Sequence, residues 1–271
     1  MGKWRIGGAV GVALLAAGCA AGHSSASAPT PADTVRLAAL DSQAINTESA
    51  TMNATVTTDG TSINMSGSMQ VQRKPLFASA DFTSVSAGGQ SIPGGMREII
   101  TPSAVYMQIS ELSSMTGKPW VEVPFSDLSG TKAADLGELL QQAQNTNPAS
   151  QAQLLIGANG VKRVGTSVID GVSVTEYTGK ISIADALSKF SASLRAQLAP
   201  QIKQEGITGA NFTAWIDGQN QVRKLVLTEN GSSTTLDMTM TASSFNQPVN
   251  TTPPAASQVY VLPASALGAL K

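Results

Sequence analysis

Residues 49–71 read SATMNATVTTDGTSINMSGSMQV, and their alternation decides the fold. Met52, Ala54 and Val56 alternate with Asn53, Thr55 and Thr57. Side chains of a strand point to opposite faces in turn, so this period of two marks a strand with one buried face. Asp59-Gly60 follows, a dipeptide suited to the positive φ angles of a two-residue hairpin turn. The chain then alternates again. Ile63, Met65, Gly67, Met69 and Val71 fall on one face, and Asn64, Ser66, Ser68 and Gln70 on the other. Two antiparallel strands sharing one apolar face are the seed of the fold.

The same grammar extends in both directions. Upstream, Val35, Leu37, Leu40 and Ile45 predict a helix over Thr34–Asn46. Downstream, Pro75 stops the second strand and Leu76–Val85 reads as a third. After the loop 88–95, short strands are expected at Arg97–Ile100, Val105–Ile109 and Trp120–Val123. Leu136, Leu139, Leu140 and Ala143 share a helical face. Leu154–Ile156 reads as a further short helix, ended by Asn159-Gly160. Strands Val161–Ile169 and Val172–Ile181 meet at Asp170-Gly171. Ser182 and Asp185 open a helix that buries Leu187, Phe190, Leu194 and Leu198. Strands Asn211–Ile216, Val222–Glu229 and Thr234–Phe245 follow, with turns at Asp217-Gly218 and Asn230-Gly231. The Pro-rich end carries an apolar run, Val259–Leu262. About ten strands with a few helices, in meander order and without βαβ alternation, predict an α+β fold: one large antiparallel sheet with helices against one face.

The composition removes several functions. The 271 residues hold 17 basic and 18 acidic side chains, a net charge of −1. No basic surplus exists to neutralise phosphates, so nucleic acid is not an expected partner. Charged residues are 13%, against about 25% in an average protein. The difference is made up by 31 serines and 25 threonines, a hydroxylated surface suited to export. Cys19 and His23 are the only residues of their types. An internal disulfide and a Cys/His zinc site are excluded, and a histidine-based triad would depend on His23. Ser129-Gly130-Thr131-Lys132 fits S-x-x-K, but the chain lacks S-D-N and K-T-G. No enzyme activity, cofactor or metal is expected.

The first residues carry a positive start, Lys3 and Arg5, then twelve apolar positions, Ile6–Ala17. That run is too short to span a bilayer, which takes about 20 residues, and suits an export signal. Ala16, Ala17 and Gly18 lead into Cys19, which resembles a bacterial lipobox. The resemblance implies cleavage before Cys19 and acylation of its thiol; an ordinary secretory signal is the other reading. The expected organisation is a signal peptide at 1–18, lipidated Cys19 with a flexible tether to 33, a domain at 34–262 and a tail at 263–271.

Met52, Met65, Met69, Met107, Met238 and Met240 all occupy apolar strand positions. Methionine is pliable and polarizable and suits surfaces that accept more than one shape. Two readings are open: plain core, or the lining of an apolar cavity. VIDGVSVTEYTGKI at 168–181, FTAWIDGQNQVRKL at 212–225 and Lys118-Pro119-Trp120-Val121 resemble recurring stretches of the actinobacterial LppX/LprAFG-type lipoproteins. The resemblance implies a half-barrel sheet related to LolA and LolB, with helices over its concave face and acyl chains of lipids or glycolipids held between. On that reading the cavity is lined by Met52, Val56, Ile63, Met65, Met69, Met107, Ile109, Leu187, Phe190, Leu194, Met238 and Met240. The expected protein is a monomer anchored to the outer face of the cytoplasmic membrane. An anchored sensor or interaction module with a solid interior is the alternative.

Overall fold

A computed structural model describes residues 28–127, 148–189, 195, 199, 208–231, 234–250 and 252–263. The strands are β1 (Thr47–Thr58), β2 (Thr61–Gln72), β3 (Phe77–Ala87), β4 (Gln90–Ser91), β5 (Met96–Ile100), β6 (Ala104–Gln108), β7 (Trp120–Pro124), β8 (Ala158–Ile169), β9 (Val172–Ser182), β10 (Gly209–Asp217), β11 (Val222–Asn230), β12 (Thr234–Phe245) and β13 (Val259–Val261). They form one sheet in the order β13-β7-β6-β5-β3-β2-β1-β12-β11-β10-β9-β8, with β4 paired to β3. The helices are α1 (Pro31–Asp41), α2 (Ser110–Thr116), α3 (Pro148–Ala152) and α4 (Ile183–Lys189). The expected α+β class and large open sheet are borne out.

The opening hairpin has the expected register: Met52 stands opposite Gly67, and Ala54 opposite Met65. Asp59 and Gly60 both have positive φ, 50° and 80°, as do Asp170 and Gly171 at 47° and 79°. This geometry matches the right-handed twist of the flanking strands. β12 closes back onto β1, so the first and last long strands lie side by side at the middle of the sheet. Register shifts at Ser49/Ala50, Ser66/Gly67, Trp215/Ile216 and twice along β8 bend the strands, the usual source of sheet curvature.

Four details depart from the sequence reading. First, α1 begins at Pro31, inside the stretch assigned to the tether. Thr30 caps it, with its hydroxyl and Asp33 exchanging hydrogen bonds, and Pro31 sits in the first turn, where no N–H is needed. Secondly, α2 was not expected. It has no buried residue. Ser113, Ser114 and Thr116 donate back to carbonyls four residues earlier, and Gly117 ends it at φ 67°. Thirdly, Asn159-Gly160 lies within β8 and forms a bulge with Gly160 at φ 59°. Fourthly, the sheet is not wholly antiparallel: β13 pairs with β7 in parallel.

The segment leading to β13 runs over the outer face. Asn250 N–H donates to Gln70 Oε1 at 3.3 Å, and Lys118 Nζ to the Ser257 carbonyl at 2.6 Å. Leu262 N–H then bonds the Glu122 carbonyl at 2.8 Å. The expected helix around Leu136–Ala143 and the signal peptide fall outside the described residues. Among the described residues, no helix is long and apolar enough to cross a membrane.

Candidate functional site: the apolar face of the sheet

Register aligns the inner residues of successive strands into rows. One row runs Met240, Met52, Gly67, Phe82, Met96. The next runs Ala242, Ala50, Met69, Ala80, Glu98, Met107, Val121. A third holds Met238, Ala54, Met65 and Val85. Opposed strand residues share a face, so these rows tile one continuous surface from β12 to β7.

Helices α1, α3 and α4 and the 3₁₀ turn Gln153–Gly157 pack on β8 to β12. There Val35, Ala38, Leu155, Phe212, Ala214, Leu225 and Leu227 are sealed into one core. Met52, Met238 and Met240 belong to it, Met240 being 0% exposed. Met65 and Leu187 are partly buried at the margin of this core, and Met69 is buried. Val56, Met107 and Ile109 are half-buried, and Ile63, near the hairpin tip, is 40% exposed. Phe190, Leu194 and Cys19 lie outside the described residues.

Residues of this face that sequence reasoning did not single out are Phe82, Val85, Met96, Glu98 and Val121. Met96 packs against the core cluster, and Phe82, Val85 and Val121 are buried. The signal for Met96 was its even spacing from Ile100. Glu98 lacks such a signal, because a charged residue in a strand reads as solvent-facing.

One end of the face is polar and tightly built. Glu48 is 4% exposed and opposite Phe245 in register. Its Oε2 accepts from Ala149 N–H at 3.0 Å, while Oε1 is sealed from solvent without a hydrogen-bond partner. Burial pushes its carboxyl up from 4.5 to about 7, against the pull of the Ala149 bond and the nearby Arg73. Arg73 donates to the Ser42 and Gln43 carbonyls and to Ser150 Oγ. The Arg223 guanidinium lies over the Phe245 ring, 4.9 Å from its centroid. Arg223 Nε also binds Asp217 Oδ2 at 2.7 Å.

The outer face is hydroxylated and charged. Trp215 lies there with Lys224 over its ring at 4.7 Å, opposite in face to Phe212 and Ile216, as its spacing implied. A shallow groove of about 330 Å³ on this side is lined by Asn53, Thr55, Asn64, Ser66, Asp237 and Thr239, among others. Among the described residues no group of three His, Cys, Asp or Glu side chains could hold a metal. The Ser129–Lys132 stretch lies outside them. Chemically, among the described residues the three rows offer apolar contact with one carboxyl, Glu98, while Glu229, opposite Ala210 and Leu236, stands on the same face one row further on.

No family model matches the chain. A curated relative is an uncharacterized 31.2 kDa protein encoded in the rplA-rplJ intergenic region of Streptomyces griseus, 30% identical over 146 residues. The match takes in 52% of this chain and 47% of the relative, so the chain spans about half the length of the curated protein it matches. Among solved structures, LprF from Mycobacterium bovis aligns over 84% of this chain and 99% of its own, at 14% identity and a TM-score of 0.50. The lipoprotein LppX from Mycobacterium tuberculosis aligns over 83% and 100%, at 21% identity and a TM-score of 0.45. The likeness to LprF establishes the fold. At that level the resemblance read from residues 168–181 and 212–225 is borne out.

Proposed function

We propose that this chain is an LppX/LprAFG-type lipoprotein that carries or presents lipid in the cell envelope. Acyl chains leave the bilayer and lie against the inner face of the sheet, with Met65, Met69, Met96, Met107 and Val121 as the contact surface. The driving force is desolvation, about 0.8 kcal/mol for each CH₂ buried. The observation that carries the reading is the make-up of that face. Among Phe82, Val85, Ile100 and Val105, strands β2, β3, β5 and β6 set Met65, Met69, Met96 and Met107 with Ala78 and Ala80, a share of pliable and small side chains that a rigid two-layer core does not favour.

On this reading Cys19 is acylated and holds a monomer at the extracytoplasmic surface of the cytoplasmic membrane. Two or more acyl chains give stable anchoring where one is marginal. No catalytic residue is assigned. Mass spectrometry of the full chain purified from membranes tests both parts. Under denaturing conditions the mass should equal residues 19–271 plus covalent acyl groups. Under native conditions a further, dissociable acyl lipid should be present. A native mass equal to the denatured one contradicts the carrier; an unacylated chain contradicts the anchor.

A further inference from the structure

Glu98 sits in the middle of β5 on the inner face. Its cross-strand neighbours are Ala80 on β3 and Met107 on β6, with Val121 next along the row. Met96, two residues earlier on the same side, packs against the apolar core. The Glu98 side chain is half-buried, and among the described residues it has no hydrogen-bond donor and no cation. Its sequence neighbour Arg97 leaves the sheet on the other side, where it pairs with Asp81 at 3.1 Å and lies 5.6 Å from the Trp120 ring centroid. Burial alone raises the Glu98 carboxyl.

A carboxyl placed in an apolar row without a donor destabilises the protein. An alanine or methionine there would match the row and remove the cost. Polar groups set singly in apolar binding surfaces are the ones that orient a ligand. An anionic head group would bring two like charges together where solvent screening is weak. A group with no donor would leave the carboxyl unsatisfied.

We propose that Glu98 receives the head group of the bound lipid, accepting a hydrogen bond from a hydroxyl of a neutral glycerolipid or glycolipid. This rests on the lipid-carrier reading and adds the class of head group to it. Glu48, a buried carboxyl at the polar end of the inner face, already accepts the Ala149 N–H, and Glu229, half-buried on the same face opposite Ala210, has an interaction partner of its own; both are left to the scaffold.

The test uses the full chain and two probes, 1,2-dioleoylglycerol and its 3-O-methyl ether, which differ by one donor. Each is offered in phosphatidylcholine vesicles and occupancy is read by native mass spectrometry. The wild type should hold the free alcohol about tenfold better than the ether, the scale of one hydrogen bond to a charged group. Glu98→Leu should bind both alike and keep the ether at the wild-type level or above. Glu98→Gln, which retains an acceptor oxygen, should keep part of the preference. Equal wild-type binding of the two probes, or a preference unchanged in Glu98→Leu, overturns the assignment and leaves the carrier standing. If neither probe binds the wild type, the carrier reading falls and this inference with it.

Discussion

Arg223→Ala should cost about 3–5 kcal/mol of stability, the usual loss when one partner of a buried ion pair is removed. The Asp217 side chain is 3% exposed and that of Arg223 17%. Asp217 Oδ1 accepts the Gln219 and Gln221 N–H groups at 2.8 and 2.9 Å, and Oδ2 takes Arg223 Nε at 2.7 Å. This carboxylate therefore closes the β10–β11 loop. The loop in turn reaches α1, where Asn220 Nδ2 donates to Asp41 Oδ2 at 3.0 Å. Without the guanidinium, the charge of Asp217 stays buried with two backbone donors only. Phe245 also loses the cation over its ring. For a domain of this size the melting temperature should fall by about 10 °C. Arg223→Met, which keeps the hydrocarbon stem but no donor, should be nearly as damaging. A loss under about 1 kcal/mol in either variant, read by urea unfolding, contradicts the assigned role.

Glu48→Gln should stabilise the protein at pH 8 and leave it unchanged near pH 4. The folded protein holds the Glu48 proton up to about pH 7, whereas the unfolded chain releases it near 4.5. Stability due to the protonated form is therefore complete below pH 4.5 and is lost as pH rises through 7. The difference amounts to about 3 kcal/mol above that range. Physically, the charged form places an anion against Phe245 and Ala149, with one oxygen sealed from water. Glutamine keeps an acceptor for the Ala149 N–H and has no charge to bury. Glu98 is shifted the same way by burial, so the variant should retain a weaker decline. Unfolding at pH 4 and pH 8 checks this. Parallel pH profiles for the two proteins would rule it out.

Most of the sheet was legible because burial of one face imposes a period of two. Met52 to Val71 could be assigned to faces residue by residue, and the register agrees. The turns were legible where Asp-Gly takes two positive φ angles, as at residues 59–60 and 170–171. At Asp217-Gly218 the same dipeptide works differently. Asp217 stays in β10 as the buried anchor, and Asn220 takes the left-handed conformation at φ 59°. What escaped was structure held by polar side chains. The Thr30/Asp33 capping box looks like more of a Ser/Ala/Pro tether, and α2 has no apolar stripe. β13 is only three residues long and finds its partner across the outer face. The inner surface was legible in its methionines and not in Glu98, whose placement follows from the register of β3, β5 and β6.

The direct test of the central claim is photo-crosslinking of the full chain with a phospholipid bearing a diazirine on its acyl chain. Adducts should map to Met65, Met69, Met96 and Met107 and be displaced by unlabelled lipid. Adducts confined to the outer face, at Tyr106, Trp120 or Trp215, or none that lipid can displace, would contradict it.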